Sequence, residues 1–393
     1  MKIAFFSNFL NHHQLPLCQE FLAYNDVEFV FVATDPIDQE RLNMGYEDMN
    51  AYPFVVRAYE NSEQEDLANT IAETYDVVIF GDVPERFIEK RMTKNLLSFR
   101  FCERSLKKGL WRRFIPHTRA QINKGYIQYK NKNLYILGAS AYTAHDLVLC
   151  GFNKDKCFKW GYFPKVETKN VDDLIKEKSK NSKVEMLYAG RLLKWKRVID
   201  TVKAVKILVD QGVKNIHFTI IGDGDQKQNL QKYVTKNALT DYVSFLPFMP
   251  FNEVREYMDK ADIYVFGSDF YEGWGAVVNE AMNSACSLLV SHAVGSSAHL
   301  IEYGKNGFIY EYGNIKDLTE KLKTLVNDAD LRHKVGVSAY QTLQEQWNAK
   351  TAVSRFLELC KDLNADKWKE GPCSKAEILK NNWIKNINCN CLF

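Results

Sequence analysis

Short apolar runs rich in Val, Ile and Phe alternate with helix-spaced segments along nearly the whole chain, and the alternation occurs twice. In the first half the runs are 2–7, 27–33, 53–56, 76–81, 96–101 and 133–139. In the second they are 184–190, 216–222, 242–246, 262–267, 287–291 and 307–311. Helical patterns near 12–24, 64–74, 84–92, 109–130 and 141–150 separate the first set. Patterns near 196–210, 225–236, 251–260, 275–285, 296–303, 315–326 and 328–346 separate the second. Runs that are apolar on both faces need cover on both faces, which a parallel sheet between helices supplies. The pattern predicts an α/β protein of two doubly wound, Rossmann-like parallel-sheet domains facing a central cleft. Ligands of such sheets bind beyond the carboxyl ends of the strands, so chemistry is sought just after each strand.

A length of 393 residues fits two domains. The charged stretch 163–183, opened by Pro164, marks the boundary. The expected divisions are 1–165, 166–362 and a tail, 363–393, whose helical pattern with Trp368 and Trp383 packs back on the N-terminal domain. A content of 46% hydrophobic and 26% charged residues excludes a disordered or collagen-like chain. The nine Cys are scattered without a CxxC pair, which excludes a zinc ribbon or a redox pair and suits reduced thiols in a cytoplasmic protein. No run approaches the ~20 apolar residues of a membrane-spanning helix. The opening MKIAFFSNF reads as a strand, not a signal peptide.

The net charge of +3 conceals an asymmetry. Residues 1–85 hold 16 acidic and 3 basic side chains, whereas 86–132 hold 14 basic and 2 acidic ones. The basic segment contains Trp111, Phe114 and Ile115. It either pairs with the acidic segment before it or meets an anionic membrane surface or a pyrophosphate-linked acceptor. Nucleic acid is the weaker reading.

The most informative stretch for chemistry is SDFYEGWGAVVNEAMNS, 268–284. It follows an apolar strand and opens a helix. Gly273 and Gly275 let a ligand approach the backbone, and free N–H groups at the helix start suit a diphosphate. Glu272 lies in the loop. Glu280, eight positions on, is the only charged residue between 273 and 300. A buried carboxylate needs hydrogen-bond donors, which ribose or sugar hydroxyls supply. The alternative is a purely structural cap. A second element, GRLLKWKR at 190–197, puts Arg191 directly after a strand and Lys196 at a helix start. A guanidinium and an ammonium there can hold two phosphates and stabilise a departing diphosphate.

Together with IIGDGDQKQNL (220–230), the run 242–282 and GKNGFIYE (304–311), these elements resemble the GT-B glycosyltransferases of the GT4 type, retaining and nucleotide-sugar-dependent. The resemblance covers most of 184–360. It implies a GT-B architecture, with 1–165 binding the acceptor and 166–362 the donor. It implies that Arg191 and Lys196 bind the donor diphosphate, that Glu272 holds hydroxyls of the transferred sugar and that Glu280 binds the ribose. Backbone at Gly273, Trp274, Gly275 and Ala276 would contact sugar and phosphate. Gly190 and the turn Gly222–Gly224 would border the nucleotide. No metal or other cofactor is implied.

Two departures bear on the N-terminal domain, the first on its contacts to the diphosphate and the second on a contact to the sugar. The loop SNFLNHHQLP after the first strand has no Gly, and Glu103 stands where the family places a sugar-contacting His. His12 and His13 follow the first strand and open the first helix, where an imidazole can position an acceptor or take its proton. The expected reaction moves a sugar from a nucleotide-diphosphate donor to a glycan or lipid-linked acceptor in cell-surface polysaccharide or glycolipid synthesis. The site is cytoplasmic, peripheral to the membrane. The rivals are a nucleotide-sugar epimerase on the same architecture and a sugar-nucleotide-binding module without catalysis.

Overall fold

The computed structural model describes residues 1–39, 42 and 47–384. The chain forms two compact units. The first comprises Met1–Lys165 and Gln346–Lys380. Its strands are β1 (Lys2–Ser7), β2 (Glu28–Ala33), β3 (Val55–Arg57), β4 (Val77–Phe80), β5 (Ser98–Cys102), β6 (Leu134–Gly138) and β7 (Cys157–Lys159). They pair in parallel in the order β3-β2-β1-β4-β5-β6-β7. Phe5 of β1 lies opposite Phe31 of β2 and Ile79 of β4, and all three are buried. β4, VVIF, is buried along its whole length, the signature of a strand covered on both faces.

The second unit comprises Val166–Glu345 and, among the described residues, 381–384. Its strands are β8 (Val184–Ala189), β9 (Ile216–Ile221), β10 (Val243–Leu246), β11 (Ile263–Phe266), β12 (Ser287–Ser291) and β13 (Phe308–Tyr310). They too are parallel, in the order β10-β9-β8-β11-β12-β13. In each sheet the order reverses at the centre, between β1 and β4 and between β8 and β11. Crossovers leave in opposite directions on the two sides of such a point and open a crevice at the strands' carboxyl ends.

The structure departs from the sequence expectation in four places. The single helix expected over 109–130 is a 3₁₀ turn, Leu110–Phe114, then a helix, Pro116–Gly125, then a second 3₁₀ turn, Ile127–Tyr129. Pro116 sets the break, because it lacks the N–H that would continue a helix and fits its first turn. The charged stretch 163–183 is not a bare linker. It holds a helix, Val171–Lys178, started by Asn170, whose side chain accepts from the N–H groups of Asp172 and Asp173. Lys178 is buried and donates to the carbonyls of Ala261 (2.6 Å) and Ser284 (2.7 Å), which ties the segment to the second unit.

The helix Ala349–Asp362 belongs to the first unit, not to a second domain ending at 362. Phe356 meets Phe21, Phe99 and Trp160, with ring centroids 5.8, 4.9 and 5.9 Å away. The helix expected in the tail is absent over 375–380. There the chain runs along β7, a strand the sequence reading had not identified. Lys159 N–H donates to Ser374 (2.7 Å), and the N–H groups of Cys373 and Ala376 donate to Lys159 and Cys157 (2.8 and 2.9 Å). These bonds close an edge that would otherwise be a template for association. Seven of the nine Cys lie among the described residues and are free thiols; Cys389 and Cys391 lie outside them.

Candidate active site

The loops after β8 and β11 flank the point where the second sheet's order reverses. The first carries Arg191 and Lys196, and the second carries Glu272. Residues 76 positions apart in sequence are thereby neighbours: Lys196 Nζ donates to Glu272 Oε2. Both side chains are largely buried, at 13% and 12% exposure. The ammonium also lies over the rings of Trp195 (4.4 Å) and Phe266 (5.0 Å), which favour a cation at their faces. The second loop is itself braced. Asp269 accepts from the Tyr271 N–H (2.8 Å), its carbonyl from the Glu272 N–H (3.0 Å), and its own N–H donates to the Trp195 carbonyl (2.9 Å). Burial raises the Asp269 carboxyl above the usual range, and the Tyr271 bond partly offsets this.

Arg191 is exposed, and among the described residues its guanidinium makes no hydrogen bond or ion pair. Its carbonyl accepts from the Tyr188 hydroxyl (3.0 Å), which fixes the backbone at the strand's end. The turn Gly222–Gly224 packs directly on this loop. A Cβ on Gly222, at φ 137°, would stand 2.1 Å from the Gly190 carbonyl oxygen. The same approach lets the Leu192 N–H reach the Asp223 carbonyl (2.7 Å). These glycines therefore have a packing role, holding together the two loops that border the site. Asp223 lies in the turn and is kept below the usual carboxylate range by its bonds to Lys227 (2.7 Å) and to the Gly224 N–H (2.8 Å).

Beyond Glu272 the chain enters the helix Val277–Asn283. The N–H groups of Gly273, Gly275 and Ala276 have no partner among the described residues, so they remain available to an anion. The Trp274 side chain is buried; its Nε1–H donates to Asn279 Oδ1 (2.9 Å) and its carbonyl accepts from the Ser296 N–H (3.1 Å). It anchors the loop in the core. Glu280 is 7% exposed, and burial raises its carboxyl above the usual range, offset in part by the charge of Arg255. Arg255 donates to the Glu280 carbonyl (3.2 Å). No hydrogen bond to the Glu280 carboxylate is present among the described residues.

In the first unit His12 and His13 lie in a turn that precedes the helix Leu15–Leu22 and do not open it. Their ring centroids are 3.8 Å apart. Glu103, just past β5, accepts from Tyr162 Oη (3.1 Å) and pairs with Lys107 (3.4 Å). Tyr162 is also 5.9 Å, ring to ring, from His13. Burial, then the charge of Glu103, pushes its hydroxyl well up. Tyr162 thus joins two acceptor-side candidates, and no pattern in the sequence marked it. Among the described residues no group of three or more His, Cys, Asp or Glu side chains is placed to hold a metal ion.

A family model described as "Glycosyl transferases group 1" matches residues 170–342. An uncharacterized glycosyltransferase of Methanocaldococcus jannaschii is 36% identical over 137 residues, 34% of this chain and 38% of that protein. The capsular polysaccharide biosynthesis glycosyltransferase CapM of Staphylococcus aureus is 23% identical over 166 residues, 41% of this chain and 42% of that one. The chain spans between about a third and three fifths of the length of the curated relatives it matches. In overall fold it is similar to the crystal structure of Anabaena HepE in complex with UDP. The TM-score is 0.68 at 16% sequence identity, over 92% of this chain and 100% of that one.

Proposed function

We propose, from the premise that this chain belongs to the glycosyl transferases group 1 family and has the GT-B fold, that it moves a sugar from a nucleotide-diphosphate-sugar to an acceptor hydroxyl with retention at the anomeric carbon. One observation carries the reading. Two cationic side chains, a carboxylate and three unpartnered backbone N–H groups converge where the second sheet's strand order reverses.

In this reading Arg191, Lys196 and the N–H groups of Gly273, Gly275 and Ala276 hold the diphosphate. Glu272 takes sugar hydroxyls and Glu280 takes the ribose. The bond from anomeric carbon to diphosphate oxygen breaks with its electron pair going to the diphosphate. The acceptor oxygen attacks from the same face, and its proton passes to the departing phosphate oxygen. In this reading the two cationic side chains stabilise the charge that develops there without a metal ion. His13, Tyr162 and Glu103 then form the acceptor side. The acceptor is a glycan or a lipid-linked saccharide, in polysaccharide or glycolipid synthesis, and a lipid-linked one would put the reaction on the cytoplasmic face of a membrane. HepE was crystallised with UDP, which makes UDP the first nucleotide to try.

The test is a thermal-shift panel of nucleoside diphosphates on the full chain. A ligand at about 100 times its Kd stabilises by roughly 2.7 kcal/mol. At least one should raise the transition, and Glu280→Gln should remove most of that rise. A panel without any shift would sink the donor assignment.

A further inference from the structure

The basic segment 86–132 divides in two once its side chains are placed. Its early members serve the fold. Arg86 pairs with Glu65 (2.9 Å), Lys94 with Glu73 (2.7 Å) and Arg100 with Glu85 (3.0 Å). Arg91 is buried and donates to the carbonyls of Ala72, Tyr75, Asp76 and Leu97. Arg104 grips Asp146 through two bonds (3.0 and 3.1 Å) in the interior. Left over between 105 and 120 are Lys108, Arg112, Arg113 and Arg119. Among the described residues no ion pair reaches any of them.

These four surround the 3₁₀ turn Leu110–Phe114. In a 3₁₀ turn residues three apart eclipse one another, so Trp111 and Phe114 share an edge. They are 63% and 72% exposed, more than any other large apolar side chain among the described residues. Leu110, on the opposite side, packs inward against the cluster of Leu106, Ile122 and Leu147. The turn is not a loose loop. Asp146, held by Arg104, also accepts from the Leu106 N–H (2.8 Å). Gly109, at φ 122°, lets the Trp111 indole close over the backbone; a Cβ there would stand 2.5 Å from Nε1. Beside the turn lies a cavity of about 570 Å³ lined by Phe114, Ile122, Ile127 and Leu149, with Arg113 and Arg119 on its wall.

We infer that this face docks the protein on an anionic phospholipid bilayer, with Trp111 and Phe114 entering the headgroup boundary and Arg113 and Arg119 taking a lipid phosphate at the cavity. Aromatic side chains at the water boundary, a pocket with Phe114, Ile122, Ile127 and Leu149 on its wall, and cations without ion pairs around both are complementary to such a surface. Among the described residues no helix is long and apolar enough to cross a membrane, so the contact is with one leaflet. The inference rests on the sugar-transfer reading only for its purpose, the delivery of a lipid-linked acceptor; the surface itself does not require it.

Flotation of the full chain with phosphatidylcholine vesicles, with and without phosphatidylglycerol, tests it. The protein should float only with phosphatidylglycerol, and rising salt should release it. Each basic residue near such a surface is worth about a five-fold change in partitioning, so Arg112→Glu with Arg113→Glu and Arg119→Glu should lower it at least about 100-fold. Trp111→Ser with Phe114→Ser should lower it about 10-fold without altering the salt dependence. Both variants should keep the nucleotide-induced thermal shift, which shows that they are folded. Failure of the wild type to float at low salt overturns the proposal, as does undiminished flotation of the charge-reversed variant. Tighter binding of a single-stranded oligonucleotide through the same residues overturns it in favour of nucleic acid. Flotation without any nucleotide-induced shift supports docking and overturns the donor assignment instead.

Discussion

Glu280 illustrates how a single residue can be costly to the fold and useful to the site. Its carboxyl is buried, and burial raises its pKa above the unfolded value. Between those two values the folded state holds one proton more than the unfolded state, so stability falls as pH rises through that window. Glu280→Gln should remove this slope and stabilise the unliganded protein at neutral pH, while calorimetry should show weakened binding of nucleoside diphosphate. A variant that lost stability and bound nucleotide normally would make Glu280 structural. Arg191 and Lys196 separate in a different way. Replacing either by Ala should lower turnover on the order of 10²–10³, as for the loss of one donor to a developing charge. Only Lys196→Ala strands a buried partner, Glu272, and should cost about 1–3 kcal/mol of stability. Arg191→Ala should melt like the wild type. Equal melting temperatures for the two variants would mean that the Lys196–Glu272 pair adds nothing to the fold.

At the scale of elements, the loop after β8 and the turn after β9 are held in register by backbone contact. The sequence motif GDG suggests a nucleotide contact, yet the geometry gives its first glycine a packing duty. Gly222→Ala combines a backbone conformation that disfavours Cβ with a 2.1 Å approach to the Gly190 carbonyl. The turn must move, at a cost of about 1–3 kcal/mol. Because the turn packs on the loop that carries Arg191, nucleotide affinity should fall together with the melting temperature. Normal affinity in a destabilised Gly222→Ala protein would detach the turn from the site. Two of the departures from the sequence expectation have local causes. Pro116 breaks a helical pattern, and β7 is too short at three residues to stand out as an apolar run.

At the scale of the whole molecule, the chain leaves the first unit at 165 and returns to it at 346. The returning helix brings Phe356 into an aromatic cluster with Phe21, Phe99 and Trp160, all buried. Phe356→Ala should cost about 3–5 kcal/mol, the range for a large aromatic lost from a core. The damage should appear in the first unit. Hydrogen exchange in β1 and β5 should accelerate, while nucleotide binding by the second unit persists. Uniform acceleration in both sheets would mean that the two units unfold as one.

Alternation of apolar runs and helical patterns was enough to determine two parallel α/β sheets, because strands covered on both faces must be apolar on both faces. Position after a strand marked Arg191, Lys196 and Glu272 as candidates, because ligands of such sheets sit at the strands' carboxyl ends, and the resemblance supplied the roles expected of them. Pairing across distance was not legible. That Lys196 meets Glu272, that Tyr162 joins His13 to Glu103 and that the helix Ala349–Asp362 returns to the first unit depend on strand order and on long-range packing. Local periodicity carries neither. The basic segment shows the same division. Its excess charge is a property of composition, but which cations the fold consumes and which it leaves facing outward was decided only when Glu65, Glu73, Glu85 and Asp146 came within reach of their partners.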